Sequence, residues 1–199
     1  MSLSGAEHLA HRTALNACFR PRAVNGYREQ VLRSTAVRYI DAIRDRGQAD
    51  ANTEILERIS MRAIGNVLGF TDVHDDILIR WFRGFSAYLV DFGRSSEVAE
   101  QGRAIKAELA AHLRTRLGSL AAHPDGSTLS HLLHDGTPDG STRSIDEIIG
   151  DIGVMIVGGF QEPAHGAANS LHGLFTRPEQ AARLRADPSA WSAAAVEEA

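Results

Sequence analysis

One helical pattern near the carboxy terminus constrains the fold of this chain more than any other feature. Apolar residues recur at helical spacing from Ile145 to Gly159. Ser144, followed by Glu147, has the form of a capping box, so we expect the helix to begin there. A helix from Ser144 to Phe175 would be roughly 48 Å long, enough to pass through the centre of a domain. We therefore predict a fold organised around this long central helix, residues 144–175.

The rest of the chain also shows helical periodicity, and the alternation of β-branched residues that marks strands is missing. We predict an all-α protein, in which residues 135–141 form the clearest loop. The residues from Asp75 to Phe92 place one apolar stripe on a helix face. The other predicted helices run from Ala6 to Cys18, Pro21 to Gly47, Thr53 (the expected N-cap) to Leu68, Ser96 to Ala122 and Leu129 to His134.

Composition and charge exclude several classes of protein. With 43% hydrophobic and 23% charged residues the chain can bury a core, and no linker divides it, so residues 1–199 are expected to form one compact unit. The longest apolar run, residues 152–160, is too short to cross a bilayer, and residues 1–12 do not resemble a signal peptide. We therefore expect a cytoplasmic protein without a membrane partner. Residues 1–46 hold eight Arg against four acidic residues, a net charge of +4, but no nucleic-acid-binding motif accompanies them, so we expect no nucleic-acid partner.

The predicted central helix contains residues that destabilise helices. Each glycine costs about 1 kcal/mol relative to alanine, and an internal proline costs about 3 kcal/mol. Pro163 also removes one amide from the helical hydrogen-bond ladder and clashes with the Gly159 carbonyl. We expect that carbonyl to be left unpaired and the helix to open there into a widened turn. The residues concerned are Gly153, Gly158, Gly159, Pro163, Gly166 and Gly173.

The expected opening lies beside residues that could carry chemistry. Gly158 and Gly159 lack side chains and would let a flat ligand approach the backbone, whereas Gln161 and Glu162 can move protons. The arrangement resembles an oxygen-binding site. On these residues alone another interpretation is equally open, in which the glycines permit close helix packing and Pro163 is a tolerated kink.

The run from Gly158 to Pro163, Gly-Gly-Phe-Gln-Glu-Pro, resembles a motif of the cytochrome P450 family. In that family the long central helix carries Ala/Gly-Gly-x-Asp/Glu-Thr-Thr above the haem. Residues 171–180 are similar to the family's next segment, and residues 194–199 to the start of its conserved glutamate helix, with Glu198 as the candidate glutamate. The resemblance implies the central helical portion of the cytochrome P450 fold. It also implies that residues 1–199 are a partial domain, without the amino-terminal sheet region and the carboxy-terminal cysteine-ligand region.

A second motif lies near the amino terminus. His8 and Arg12, followed by Phe-Arg-Pro at residues 19–21, resemble the His-x-x-x-Arg helix of bacterial members, which lies behind the haem. The resemblance implies that haem is the cofactor and that His8 and Arg12 hold one of its propionates. Residues at i and i+4 share a helix face and can hold a carboxylate between them, although by spacing alone a surface role is also open.

The chain departs from the family pattern at the proton relay. Gln161 and Glu162 replace the family's acid-alcohol pair, and Pro163 stands where a second threonine is usual. The run is similar to that of the bacterial subgroup whose haem domain is fused to its own flavin and iron-sulfur reductase. The resemblance then implies that Glu162 takes the relay role and Gln161 orients water. The residues of this helix implied to lie at the cofactor are Gly158, Gly159 and Pro163.

The family's iron ligand is absent from this sequence. Haem iron in the family is bound by a cysteine thiolate within Phe-x-x-Gly-x-x-x-Cys-x-Gly. The one cysteine, Cys18, matches no such motif, so we expect it to be a core thiol. The resemblance therefore implies an incomplete haem-dependent monooxygenase, inactive as this chain alone. Its parent would insert one oxygen atom from O2 into a small apolar organic substrate, with electrons from a ferredoxin or a flavin/iron-sulfur reductase.

Two other functions stay open. A haem-free helical relative could act as an accessory or interaction protein. A metal-dependent enzyme using His131 and His134 would need further ligands at metal-binding spacing, which the sequence does not offer, so we predict no metal ligands. A chain that lacks part of its core is also expected to expose apolar surface on the long helix and to self-associate.

Overall fold

The long helix predicted to begin at Ser144 is present and is capped as expected. The Ser144 hydroxyl accepts a hydrogen bond from the Glu147 amide at 3.3 Å, and the Glu147 carboxylate accepts one from the Ser144 amide at 2.8 Å. These reciprocal bonds satisfy two amides that a helix start leaves free. The capping box is confirmed, and the helix spans Ile145–Thr176.

The computed structural model describes residues 4–93, 95–135 and 141–197. The all-α class is confirmed, because every regular element within those ranges is helical. No described helix combines the length and apolar composition that a membrane span requires. Glu198 and most of the predicted loop at 135–141 lie outside the described residues. In chain order the α-helices are α1 Gly5–Asn16, α2 Pro21–Tyr27, α3 Arg33–Ile43, α4 Glu57–Leu68, α5 Asp75–Val90, α6 Ser96–Ala122, α7 Thr128–His134, α8 Ile145–Thr176, α9 Pro178–Ala186 and α10 Pro188–Glu197.

Helix α8 occupies the centre of the fold, and α4, α5, α6 and α7 pack around it. Helix α5 lies close to α8 at Gly153, where an added Cβ would lie 2.3 Å from the Phe85 ring. Glycine at this position therefore permits the two helices to approach. The stripe of α8 that enters the core consists of Ile148, Ile149, Ile152, Ile156 and Phe160.

The apolar stripe predicted on the fourth helical segment is present but shorter than expected. Helix α5 ends at Val90. The buried stripe ends before Leu89, which is 42% exposed, and Phe92 is 91% exposed. Phe92 lies outside the helix, so the helical register no longer directs it towards the core, and its assignment to the stripe was wrong. The residues that do pack inward are Leu78, Trp81, Phe82 and Phe85.

The amino-terminal helices follow the predicted ranges but differ in detail. The segment predicted from Pro21 to Gly47 is divided by a π-helical turn, Arg28–Leu32, and ends at Gly47, whose φ of 68° is left-handed. The prediction of Thr53 as an N-cap was wrong. The Asp50 carboxylate accepts the Thr53 amide at 2.8 Å, so Asp50 caps a π-helical segment, Ala51–Leu56, that leads into α4.

Candidate functional site

A pocket of about 520 Å³ lies between α1 and α8. Helix α1 lines it with His8, His11 and Arg12, and α8 lines it with Asp151, Gly158 and Gly159. Four residues singled out in the sequence, two from each motif, therefore border one cavity although more than a hundred positions separate the motifs. The four are His8, Arg12, Gly158 and Gly159.

The remaining wall of the pocket is apolar. Ionisable side chains come from α1 and from Asp151, whereas the rest of the lining offers hydrocarbon. Such a cavity suits a ligand with a large apolar body and an anionic edge, because the body is desolvated against hydrocarbon while the edge meets Arg12. The apolar lining residues are Leu15, Phe19, Ile64, Val154 and Met155.

The two adjacent glycines of α8 have different surroundings. A Cβ added at Gly158 would meet no atom within 4 Å, so this position opens onto the pocket. A Cβ added at Gly159 would lie 2.9 Å from the Ile64 side chain of α4. The interpretation that a glycine allows a ligand to approach thus suits Gly158, and the interpretation that a glycine allows close helix packing suits Gly159.

The expected widened turn is not formed. Helix α8 continues as regular α-helix through residues 158–163. The carbonyl of Gly159, which Pro163 deprives of an amide partner, accepts a hydrogen bond from the Ser60 hydroxyl of α4 at 3.1 Å. Ser60 is only 7% exposed, so its hydroxyl supplies in the interior the donor that proline cannot. Sequence reasoning missed Ser60, since nothing near it in the chain indicates this contact.

The remaining predicted site residues do not line the pocket. Glu162 and Pro163 are exposed, and Gln161 is half-buried. Glu162 lies four residues after Gly158, which puts the two on the same side of α8, one turn apart. The structure thus brings His8 and Arg12 to Gly158, and leaves Glu162 at the solvent side of that face.

Two residues of the pocket wall were not anticipated. The Nδ1 atom of His11 lies 2.7 Å from Oδ1 of Asp151, within hydrogen-bond distance across the pocket from α1 to α8. The Nε atom of Arg143 lies 4.0 Å from the other oxygen of Asp151. His11 adjoins Arg12 in the sequence, but its partner is 140 residues away, so local patterns could not identify the pair.

The other candidate residues have structural surroundings. Cys18 is 2% exposed and belongs to the core, as expected, and burial raises the pKa of its thiol. It does not line the pocket. Nδ1 of His131 lies 2.6 Å from the Asp135 carboxylate, and Nε2 of His134 lies 3.0 Å from a backbone carbonyl. Within the described ranges no cluster of His, Cys, Asp and Glu forms a metal site.

Comparison with known proteins identifies the relatives of this chain, although no protein-family model matches it. The C-19 steroid 1alpha-hydroxylase of Sorangium cellulosum is 27% identical over 200 residues, which cover 98% of this chain and 49% of the relative. The steroid C26-monooxygenase of Mycobacterium tuberculosis is 25% identical over 186 residues, covering 92% and 48%. The solved ligand-free structure of cytochrome P450 TbtJ1 superposes with a TM-score of 0.84 at 21% identity, over 98% of this chain and 50% of that one.

These relatives confirm the predicted family and fold. Further curated relatives include the biotin biosynthesis cytochrome P450 of Bacillus subtilis. The chain is a homologue of bacterial cytochrome P450 proteins, and its helices form a helical portion of the cytochrome P450 fold. It spans about half the length of the curated relatives that it matches.

Proposed function

We propose that this cytochrome P450 chain forms one wall of a haem pocket, the wall on which oxygen is bound, in a monooxygenase. The complete enzyme would insert one oxygen atom from O2 into a small apolar organic substrate. The observation that supports this proposal is the single pocket that puts His8 and Arg12 of α1 opposite Gly158 of α8. Residues 1–199 would be a partial domain of that enzyme.

The residues present fit one side of a haem. Arg12 and His8 would hold one propionate by charge-assisted hydrogen bonds, and the apolar lining would cover the porphyrin face. The open space at Gly158 would admit the ring beside the backbone of α8. When bound and ligated by a thiolate, haem supplies the iron that activates dioxygen. Cys18 is buried away from the pocket, so we propose that the thiolate is not supplied by the described part of this chain and that the chain alone is inactive.

Protons would reach the site along the exposed face of α8. Glu162 lies one turn beyond Gly158 and contacts solvent, which suits a carboxylate that takes up protons and passes them inward. Gln161, half-buried beside it, would orient the water that links them. In the complete enzyme, Glu162→Gln is expected to slow turnover and to divert reducing equivalents to peroxide. Unchanged coupling of electrons to product in that variant would refute the relay.

The proposed substrate is supported by the names of two relatives, and the proposed electron donor rests on the resemblance of the sequence to the family. One relative is named as a steroid hydroxylase and another as a steroid monooxygenase, which supports an apolar substrate for the complete enzyme. Electrons would come from a ferredoxin or a flavin/iron-sulfur reductase, whether separate or fused. The Gly-Gly-x-Gln-Glu-Pro run favours the fused arrangement.

Titration of the 199-residue chain with hemin, followed by its absorbance, tests the proposal. We expect saturable binding, weakened by about tenfold or more in Gly158→Leu, because the new side chain would fill space that the ring requires. Gly166→Leu is the matched control, since a Cβ at Gly166 meets nothing within 4 Å and this residue does not line the pocket. Reduction under carbon monoxide should give no thiolate-type absorbance shift.

Two outcomes of the titration would contradict the proposal. Equal weakening by Gly158→Leu and Gly166→Leu would show that hemin binds elsewhere. Absence of saturable binding by the unmodified chain would favour the alternative function, a haem-free accessory or interaction protein.

A further inference from the structure

The amino-terminal part of α1, from Gly5 to Arg12, has little contact with the rest of the molecule. Among the residues from Gly5 to Arg12 whose side chains are described, only His11 is not exposed. The rest of α1 is anchored differently, because Ala14 is buried and Leu15 packs against the core. The part of α1 that carries both proposed propionate ligands is therefore attached to the rest of the molecule mainly through His11.

The attachment is a hydrogen bond across the pocket. His11 and Asp151 approach to 2.7 Å, and their side chains are 21% and 12% exposed. In the described part of the chain this is the only side-chain hydrogen bond that joins α1 to α8. A bond that involves a carboxylate and is partly shielded from water is stronger than an exposed one, because less solvent screens it.

A buried cation lies beside Asp151. The Arg143 side chain is 3% exposed and lies 4.0 Å from the free oxygen of Asp151. The same guanidinium donates to the carbonyls of Leu132 at 3.0 Å and Asp135 at 2.8 Å, at the end of α7. The carboxylate balances the charge of the buried guanidinium, and this attraction favours Asp151 at the end of α7 to which Arg143 is bonded.

We infer that His11 and Asp151 are positioning residues, which hold the amino-terminal part of α1 at the distance from α8 that the pocket requires. The bond is made at the pocket wall, one position before Arg12 and one turn after His8. Loss of this hydrogen bond would let the amino-terminal part of α1 move away from α8, and His8 and Arg12 would then move away from Gly158. The positioning of α1 by this hydrogen bond does not depend on what the pocket binds. The expected change in haem affinity rests on the proposed function.

Amide hydrogen exchange of the full chain tests the inference directly. In His11→Leu, the amides of residues 9–12 are expected to exchange about tenfold faster. The hydrogen bond to the charged Asp151 no longer opposes local opening of this part of α1, so the open state is more populated. Amides in the core of α8 should keep their protection. His11→Gln should restore part of the protection, since its side-chain amide can donate to Asp151. Thr13→Ala is the control on the same helix, because the exposed Thr13 hydroxyl bonds only within α1, to the Leu9 carbonyl.

Hemin affinity, measured on the same variants, separates this inference from the proposed function. We expect His11→Leu and Asp151→Asn to weaken hemin binding by about tenfold in parallel with the loss of amide protection. Unchanged protection of residues 9–12 in both variants would overturn the inference, even if hemin binds. If the protection falls but the unmodified chain does not bind hemin, the positioning role stands and the proposed function fails.

Discussion

At the scale of single residues, the proline of α8 is accommodated by one side chain from another helix. Pro163 has no amide to donate, yet α8 remains regular because the Ser60 hydroxyl bonds to the Gly159 carbonyl. The contact lies between α4 and α8, beside the position where Gly159 admits Ile64. One polar bond and one missing side chain thus fix the separation of these two helices at the edge of the pocket.

Removal of the Ser60 hydroxyl should destabilise the fold, and by an amount that depends on Pro163. Ser60→Ala leaves a buried carbonyl without a donor, which costs about 1–3 kcal/mol in the free energy of unfolding. In a Pro163→Ala background the residue at 163 regains an amide that can donate to Gly159, so the same change should cost less than about 1 kcal/mol. Urea denaturation of the four proteins measures this coupling.

The control for this double-mutant cycle is Ser34→Ala. Ser34 is exposed, and its hydroxyl bonds to carbonyls of its own helical segment, so its loss should change stability little. An equal cost of Ser60→Ala with and without Pro163 would contradict the assignment of the hydroxyl as the substitute donor.

At the scale of helices, Asp75 joins three elements at the start of α5. Tyr39 of α3 and Arg62 of α4 both donate hydrogen bonds to its carboxylate, and Arg38 of α3 adds one at 2.6 Å. Burial alone would raise the pKa of Asp75, but the hydrogen bonds from Tyr39 and Arg62 and the guanidinium charges outweigh it and lower the pKa below 3.8. Burial, together with the bond to Asp75, raises the pKa of Tyr39 to about 12.

These shifts determine how the network contributes to stability at different pH. The pKa of Asp75 is lower in the folded state, so its contribution is present above 3.8 and is lost as the pH falls through the lowered value. The pKa of Tyr39 is raised, so its contribution is present below its ordinary value of 10.0 and is lost as the pH rises towards 12. The network should therefore stabilise the fold most between these two limits.

Tyr39→Phe tests this pH dependence. At neutral pH we expect the free energy of unfolding to fall by about 1 kcal/mol. This is a small value for a hydrogen bond to a charged group, because the network is partly exposed. The difference from the unmodified protein should start to shrink as the pH falls below 3.8 and should be lost as the pH passes the lowered pKa of Asp75, because the carboxyl group is then protonated in the folded state as well. Urea midpoints measured across this range give the comparison. Tyr88→Phe is the control, since the Tyr88 hydroxyl makes no hydrogen bond among the described residues. A stability difference between Tyr39→Phe and the unmodified protein that does not vary with pH would contradict the prediction.

Local signals in the sequence were sufficient for some elements and not for others. The start of α8 could be predicted because Ser144 and Glu147 are close in the chain and cap the helix by themselves. The cap at Asp50 was missed because Asp50 and Thr53 are both suitable capping residues only three positions apart. The exposed position of Phe92 was missed because it depends on where α5 ends.

The same distinction applies to the candidate site. Family motifs identified His8, Arg12, Gly158 and Gly159, and the fold places them around one pocket. The contacts that support the pocket join residues 99 and 140 positions apart, Ser60 to Gly159 and His11 to Asp151. Pairs so distant leave no spacing pattern in a single sequence, and only the folded chain brings them together.

At the scale of the whole molecule, large apolar side chains remain on the surface near the carboxy-terminal helices. Phe175 at the end of α8 is 78% exposed, and Val196 of α10 is 71% exposed. Trp191, also on α10, is 42% exposed, with Arg183 over its ring. Because α10 packs against α8 and α9, these side chains belong to one end of the molecule. An apolar region of this kind favours contact with another surface.

We therefore expect the chain to self-associate through this end. Sedimentation velocity over a range of concentrations should show species heavier than the 21.5 kDa monomer. Phe175→Asp should raise the dissociation constant by about tenfold or more, because burial of a large aromatic side chain contributes about 1.5–3 kcal/mol and a carboxylate cannot be buried without a partner. Gln180→Asp adds the same charge on neighbouring α9, at an exposed polar residue, and should have little effect. A chain that sediments as a monomer throughout, or an equal response to both substitutions, would show that the exposed apolar end does not drive association.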